Sequence, residues 1–137
     1  SEGSQAHRPP PFLSNAFVSD DVPEAETGDA LKMKMYFDSD RAFKFLEENQ
    51  FVFSCRAEKS SDPPLSKIEI WRHGKKTRFT GNKILIVKFD NATAPEILAD
   101  YVKWSGFTIA YEWVEEMQRL SGDQKHWSLW YVHVSDN

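Results

Sequence analysis

The chain has 137 residues, of which 40% are hydrophobic and 14% aromatic, and its formal net charge is −4. This length suits one domain, and so many large apolar side chains exclude a disordered chain. Apolar runs such as Ile84–Val87 are far shorter than the roughly twenty residues of a membrane span, and the N-terminus lacks the pattern of a signal peptide. The only cysteine, Cys55, excludes an internal disulfide and a thiolate metal cluster. We therefore expect a cytoplasmic protein without membrane contact, cofactor or metal.

The net charge hides a strong asymmetry along the chain. Residues 1–30 hold six acidic side chains and one arginine, a net charge of −5, which leaves +1 for the remainder. Residues 56–88 alone hold nine basic and three acidic side chains, a net charge of +6. Such a concentration is typical of a polyanion-binding face, but basic side chains also keep exposed strands soluble.

The first 31 residues are predicted to be a flexible, acidic tail. Pro9–Pro11 resist helix formation because consecutive prolines lack amide donors, and residues 20–28 have the composition of an acidic linker. We expect one domain over residues 32–137, with the tail available to a protein partner.

The domain begins with a predicted strand over 33–37. A helix follows over 41–48, for which Asp38 or Ser39 supplies the N-cap oxygen. Residues 51–56 are rich in β-branched and aromatic side chains, which predicts a second strand.

The middle of the domain is predicted to be a meander of antiparallel strands. Residues 67–72 alternate with a period of two, and His73–Lys75 form a turn into residues 78–79. Thr80–Asn82 then predict a second turn, which leads into a strand over 83–89.

Two helices in series follow the meander. The first is predicted over 96–104 with Thr93 as its cap, and glycine ends it. The second is predicted to start at the cap Thr108 and to end at 121–123, with an apolar face between these limits.

The last predicted element is a strand over 126–134. Trp127 and Trp130 lie three residues apart, so on a strand they face opposite sides and only one is expected in the core. The order strand, helix, strands, two helices, strand favours an α+β fold. A small β-barrel with covering helices fits this order better than a doubly wound parallel sheet.

Two segments resemble the C-terminal half of ASCH domains in the PUA-like superfamily. They are Tyr101–Val114, with the Gly106-Phe107 start of its helix, and the strand Leu129–Val134. The resemblance extends more weakly over residues 33–134. It implies a small PUA-like β-barrel with helices, which in this superfamily often binds RNA or DNA.

Some bacterial members of this group are compact amidohydrolases that act on a modified nucleoside. Their first helix leads into a Gly-x-Lys-Thr stretch with the catalytic Lys and Thr, whereas this chain has Glu48–Phe53 there, without Lys or Thr. That activity is therefore not expected. His73 and His133 are isolated, and the three glutamates between 112 and 116 fit an exposed helix stripe, so no catalytic residue is predicted.

Trp71 is the most informative aromatic residue. It alternates out of phase with Ile68 and Ile70, so it is either exposed among cations or covered by a helix. An exposed indole beside basic side chains suits stacking on a base while phosphates are held nearby. The predicted nucleic-acid-binding residues are Arg56, Lys59, Trp71, Arg72, Lys75, Lys76 and Arg78.

The sequence thus predicts a nucleic-acid-binding module, with RNA preferred over DNA because PUA-like domains commonly serve RNA. Two alternatives stay open. A small enzyme acting on a modified nucleoside or nucleotide would need a deep pocket holding a lysine or glutamate with a shifted pKa. A protein-interaction domain would use the acidic tail and surface aromatics.

Overall fold

The computed structural model describes residues 32–58 and 63–136, the last without its side chain. The predicted tail, residues 1–31, lies outside the described residues, and so does Lys59. The described part is a small α+β fold with a five-stranded mixed sheet and three α-helices. None of these helices is long and apolar enough to cross a membrane.

Strands and helices follow each other in the predicted order. The strands are β1 (Met33–Tyr36), β2 (Phe51–Ala57), β3 (Leu65–Arg72), β4 (Lys75–Asp90) and β5 (His126–Asp136). The helices are α1 (Asp40–Asn49), α2 (Ala94–Ala99) and α3 (Ala110–Ser121), with a 3-10 helix over Val102–Trp104. The predicted first strand, first helix, second strand and closing strand are confirmed, with ends that differ by one or two residues.

The predicted single helix over 96–104 is wrong, because α2 ends at Ala99 and a 3-10 turn replaces its second half. In 3-10 geometry side chains three residues apart are eclipsed, which places Tyr101 and Trp104 side by side. Their ring centroids lie 5.0 and 5.5 Å from that of Phe53. Thr108 is not the N-cap of α3; that position is Ile109.

The sheet has the strand order β1-β3-β4-β5-β2. β1 runs parallel to β3, whereas every other neighbouring pair is antiparallel, which confirms the antiparallel pairing predicted for the middle of the chain. Because β1 and β2 are the two edges, α1 carries the chain from one edge of the sheet to the other.

The predicted turn at Thr80–Asn82 is wrong, since β4 continues through it as one strand of 16 residues. Gly81 serves a close approach of two strands rather than a turn. A Cβ atom at Gly81 would collide with the carbonyl oxygen of His133 and lie 2.7 Å from Cα of Val134. The missing side chain therefore lets β4 pack tightly against β5.

The predicted α+β class is confirmed, but the sheet does not close into the predicted small β-barrel, because β1 and β2 remain unpaired edges. The sheet nevertheless curls until its edges approach each other. The guanidinium carbon of Arg56 on β2 lies 4.6 Å from the ring centroid of Phe37, the residue after β1. α1 begins beside this gap. Of the two predicted caps, Asp38 and Ser39, the N-cap is Ser39, whose Oγ accepts a hydrogen bond of 3.4 Å from Ala42 N.

The core includes both tryptophans of β5. Trp127 and Trp130 are 0% and 3% exposed, so the expectation that only one would be buried is wrong. β5 lies between β4 and β2, and its residues from Trp127 to Val132 are all buried, so both faces of the strand are covered. Trp127 Nε1 donates to Asn91 Oδ1 at 2.6 Å, which satisfies the buried indole N–H.

Candidate nucleic-acid interface and adjoining pocket

A tight turn between β3 and β4 presents two lysines. His73 and Gly74 have φ angles of 49° and 82°, the paired left-handed conformation of a two-residue hairpin turn. Lys75 and Lys76 follow directly and are exposed. We call Trp71 to Arg78, with these lysines at its centre, the hairpin tip.

Trp71 lies on the outer face of the sheet, as its alternation predicts. It is neither fully exposed nor under a helix, because β1 covers part of it. Lys34 Nζ lies 4.2 Å from the centre of its indole, and the ring of Tyr36 is 6.1 Å away. The indole N–H donates to Glu69 Oε1 at 3.2 Å. Strand register places Tyr36, Trp71 and Lys76 side by side, and 43% of Tyr36 is exposed.

Arg72 of the hairpin tip binds residues at and just before the start of α1. Its Nη2 lies 2.7 Å from Asp40 Oδ1, and its Nη1 donates to the carbonyl of Phe37 at 2.9 Å. The guanidinium also lies 4.6 Å above the ring of Phe43. The hydrogen bond to Asp40 and the positive charge of Arg72 lower the pKa of Asp40. Arg72 is therefore engaged within the protein.

The other three predicted cations of the hairpin tip, Arg78, Lys75 and Lys76, differ in whether they contact other side chains. Arg78 lies 3.8 Å from Glu47 and above the ring of Phe79. Lys75 and Lys76, in contrast, have no ion pair and no side-chain hydrogen bond with any residue in 32–58 or 63–136. The hairpin tip thus presents two charges without a partner in the described part of the chain.

A pocket of about 200 Å³ opens between the two edges of the sheet. Its walls come from the end of β1 and the start of α1, from β2, and from α3. The aromatic part of the wall consists of Tyr36, Phe37, Phe53, Phe107 and Trp113. The polar part consists of Asp38, Ser39, Ser54, Arg56, Glu116 and Ser121. Flat apolar walls with a few polar groups are typical of sites for small ligands.

Arg56 is the one cation of this pocket wall. Its Nε donates to Ser54 Oγ at 2.8 Å, and it forms no ion pair with a carboxylate of the described residues. Burial lowers its pKa to about 10, so the guanidinium is still charged at neutral pH. A desolvated guanidinium without a carboxylate favours a ligand that offers hydrogen-bond acceptors.

Two carboxylates share the pocket with Arg56. Asp38 Oδ1 accepts a hydrogen bond of 2.8 Å from the backbone N–H of His73, which connects the pocket wall to the hairpin tip. Both oxygens of Glu116 bind Arg119, at 2.9 and 2.8 Å, and this interaction lowers the pKa of Glu116 against the opposing effect of burial. The pocket therefore offers acceptors as well as donors.

Of the seven predicted residues, five lie in the hairpin tip: Trp71, Arg72, Lys75, Lys76 and Arg78. Arg56 lies in the pocket, and Lys59 is outside the described residues. Sequence reasoning missed Lys34 and Tyr36, which only the β1–β3 pairing brings to Trp71. It also missed the pocket. Glu116, interpreted as part of an exposed stripe, is in fact a wall residue of that pocket.

The described residues do not assemble a metal-binding group of three His, Cys, Asp or Glu side chains. Cys55 is buried, and burial raises the pKa of its thiol, so it is a poor nucleophile. Comparisons of the chain with protein-family models, curated proteins and solved structures find no match.

Proposed function

We propose that this protein is a nucleic-acid-binding module with a preference for RNA, built on a PUA-like fold of the ASCH type. The observation that carries the proposal is the arrangement of side chains at the hairpin tip. There Lys75 and Lys76 are exposed and have no described partner, beside the partly exposed rings of Trp71 and Tyr36. Lysines without partners supply phosphate contacts, and neighbouring aromatic faces supply base stacking.

Within this proposal the predicted residues take different roles. Lys75 and Lys76 hold phosphates, while Trp71 and Tyr36 stack on bases with Lys34 beside them. Arg72 and Arg78 hold the hairpin in place instead of binding phosphates, because each already lies against an acidic side chain and an aromatic ring.

The fold supports the family part of the proposal. A curled sheet with helices at its gap, a helix soon after Gly106-Phe107 and a final aromatic strand agree with what the resemblance implies. The unpaired edges of β1 and β2 depart from a closed barrel.

The pocket raises the enzyme alternative, but its groups favour binding over catalysis. Glu116 is the pocket glutamate with a shifted pKa, and the shift is downward, which makes it a weak general base. The raised pKa of Cys55 likewise disfavours a thiolate nucleophile. We therefore place nucleic-acid binding first.

The test is RNA binding at several salt concentrations, using labelled single strands of about ten nucleotides, within the usual site size of such modules. Replacing Lys75 and Lys76 together by alanine should weaken binding and flatten the log–log salt dependence by about 0.7 for each phosphate that is no longer neutralised. The matched control replaces Lys103 and Lys125, two exposed lysines in other parts of the fold, and should leave the slope nearly unchanged.

If the two double substitutions change RNA affinity and its salt dependence equally, binding depends on the overall charge of the protein and not on the hairpin tip. Undetectable binding at low salt to RNA and DNA of varied structure would overturn the proposal and favour a protein partner.

A further inference from the structure

We propose that the Arg56 pocket holds one unpaired guanine base. The inference rests on the proposed function, because it assigns the base-reading part of RNA binding to a site separate from the hairpin tip. It starts from one juxtaposition: a guanidinium without a described carboxylate partner and the carboxylate of Asp38 line the same aromatic-walled pocket.

The size of the pocket limits the ligand to a single ring system. A volume of about 200 Å³ is below the roughly 300–1,000 Å³ of pockets that enclose drug-sized molecules. One planar base fits such a volume, with its sugar and phosphate left outside. Phe107 and Trp113 lie nearly parallel, at 12°, and give the wall flat apolar surfaces for a planar ligand.

The hydrogen-bonding groups select the edge of the base. A guanidinium fork matches two adjacent acceptors, which guanine presents as O6 and N7. Ser54 takes only the Nε–H of Arg56, which leaves the terminal N–H groups for such an edge. Adenine would place its amino group, a donor, against the guanidinium, and pyrimidines lack this pair of acceptors.

Asp38 complements the other polar edge of guanine. Its Oδ1 is engaged by the backbone of His73, and no hydrogen bond in the described residues occupies Oδ2. A carboxylate oxygen accepts from the N1–H and N2–H groups of guanine together. Cytosine presents only acceptors, N3 and O2, in the corresponding part of the ring, and uracil presents one donor, N3–H, beside the acceptor O2.

A phosphate fits the same pocket poorly. Arg56 would attract it, but Asp38 and Glu116 also line the wall, and their negative charges oppose a dianion in a partly desolvated site. A neutral base with both acceptors and donors satisfies the cation and the carboxylates together.

The pocket and the hairpin tip are close enough in the fold to serve one strand of RNA. Asp38 binds the turn residue His73, and Arg72 of the hairpin binds the carbonyl of Phe37 in the pocket wall. A guanine in the pocket would thus leave its neighbouring phosphates near Lys75 and Lys76.

The test compares the binding of two five-nucleotide RNAs, UUGUU and UUUUU, to the full chain, and separately the binding of GMP, AMP, CMP, UMP and inorganic phosphate. We expect UUGUU to bind at least about tenfold more tightly than UUUUU, and GMP to bind more tightly than the other mononucleotides. Binding of GMP without binding of either RNA would identify a free-nucleotide site, which would overturn the RNA function while keeping the guanine site.

Two variants make the test specific to the pocket. Arg56→Lys retains the charge without the fork, and Asp38→Asn retains the shape and the acceptor for His73, so each should bring the UUGUU preference to about threefold or less. Replacing Lys75 and Lys76 by alanine should weaken the binding of both RNAs, while the ratio of the UUGUU affinity to the UUUUU affinity stays within about twofold of the wild-type ratio. A thermal-unfolding scan of each variant shows that it is folded.

Equal binding of UUGUU and UUUUU, with the lysine-dependent salt effect intact, would overturn the guanine site and leave the RNA function standing. Binding of inorganic phosphate as tight as that of GMP, and equally sensitive to Arg56→Lys, would also overturn it, because the ligand would then be the phosphate.

Discussion

Arg72 on β3 and Asp40 at the first turn of α1 form an ion pair of 2.7 Å. The same guanidinium binds the carbonyl oxygen of Phe37, which lies between β1 and α1. A single side chain therefore connects the hairpin tip, the end of β1 and the start of α1, and the last two contribute to the wall of the pocket.

Replacing Arg72 by alanine should destabilise the domain by about 1–3 kcal/mol. The variant loses a hydrogen bond to a backbone carbonyl and the packing of the guanidinium on Phe43. Urea unfolding measures the change. The matched variant Asp40→Asn should cost much less, because Asp40 is exposed and its ion pair is screened by water. Equal destabilisation by both variants would mean that the ion pair, not the bond to the carbonyl, is what matters.

Gly81→Ala should destabilise the domain by roughly 1–3 kcal/mol, because the new methyl group meets the backbone of β5 and no side chain can move away. The measurement is the urea midpoint. Gly74→Asn is the control, since nothing lies within 4 Å of a Cβ atom there and asparagine tolerates its φ of 82°. Gly81→Ala with wild-type stability would contradict the close approach of β4 and β5.

The local elements were predictable because their signals are local. The N-cap of α1 depends on one nearby hydroxyl, that of Ser39. Trp71 faces away from the buried Ile68 and Ile70 because side chains alternate between the two faces of a strand. Gly81 was misread because glycine signals a turn as readily as a close strand contact, and only the position of His133 distinguishes the two.

The pocket could not be predicted from the sequence, for a different reason. Its walls come from β1, β2 and α3, which only the curl of the sheet brings together. In the sequence Arg56 belongs to a basic segment in which every cation resembles a surface charge. Its position above Phe37 depends on a contact between β2 and the residue that follows β1, which lie at opposite edges of the sheet.

Stability should fall as the pH rises from about 10 to 12, and Tyr131 should account for part of the fall. Burial raises the pKa of Tyr131 to about 12, whereas an unfolded tyrosine titrates near 10. Between these values the unfolded state loses a proton that the folded state keeps, so alkali favours unfolding. The full contribution is present below pH 10. Urea midpoints across this range measure the effect.

Tyr131→Phe supplies the control for this pH dependence. The ring stays among Phe51 and Phe53, while the titrating hydroxyl is removed. Its stability should therefore decline less above pH 10 than that of the wild type. An identical decline in both proteins would assign the alkaline sensitivity to other groups.

Trp71→Ala should weaken RNA binding by roughly 1–3 kcal/mol with little change in the salt slope, because stacking releases no counterions. Trp71→Phe retains an aromatic face and should recover much of the affinity. Fluorescence anisotropy at two salt concentrations measures both variants. If Trp71→Ala flattens the salt slope as strongly as the replacement of Lys75 and Lys76, Trp71 acts by positioning the cations and not by stacking.

Removal of residues 1–31 should leave a cooperatively folding domain and tighten RNA binding at low salt. The described residues 32–58 and 63–136 contain an extensive buried core of their own. The removed segment carries a net charge of −5 in its first 30 residues and would compete with RNA for the hairpin tip. Salt should screen that competition, so the gain in affinity should shrink as ionic strength rises.

A charge-neutralised full-length chain separates competition from any other effect of the deletion. Its substitutions are Glu2→Gln, Asp20→Asn, Asp21→Asn, Glu24→Gln, Glu26→Gln and Asp29→Asn. Because the length is unchanged, tighter low-salt binding by this variant must come from charge. Tighter binding by the deletion alone would indicate steric blocking. A large fall in the thermal midpoint of the deletion would instead mean that Phe12, Leu13, Phe17 and Val18 contribute to the core, and the domain boundary would then move towards the N-terminus.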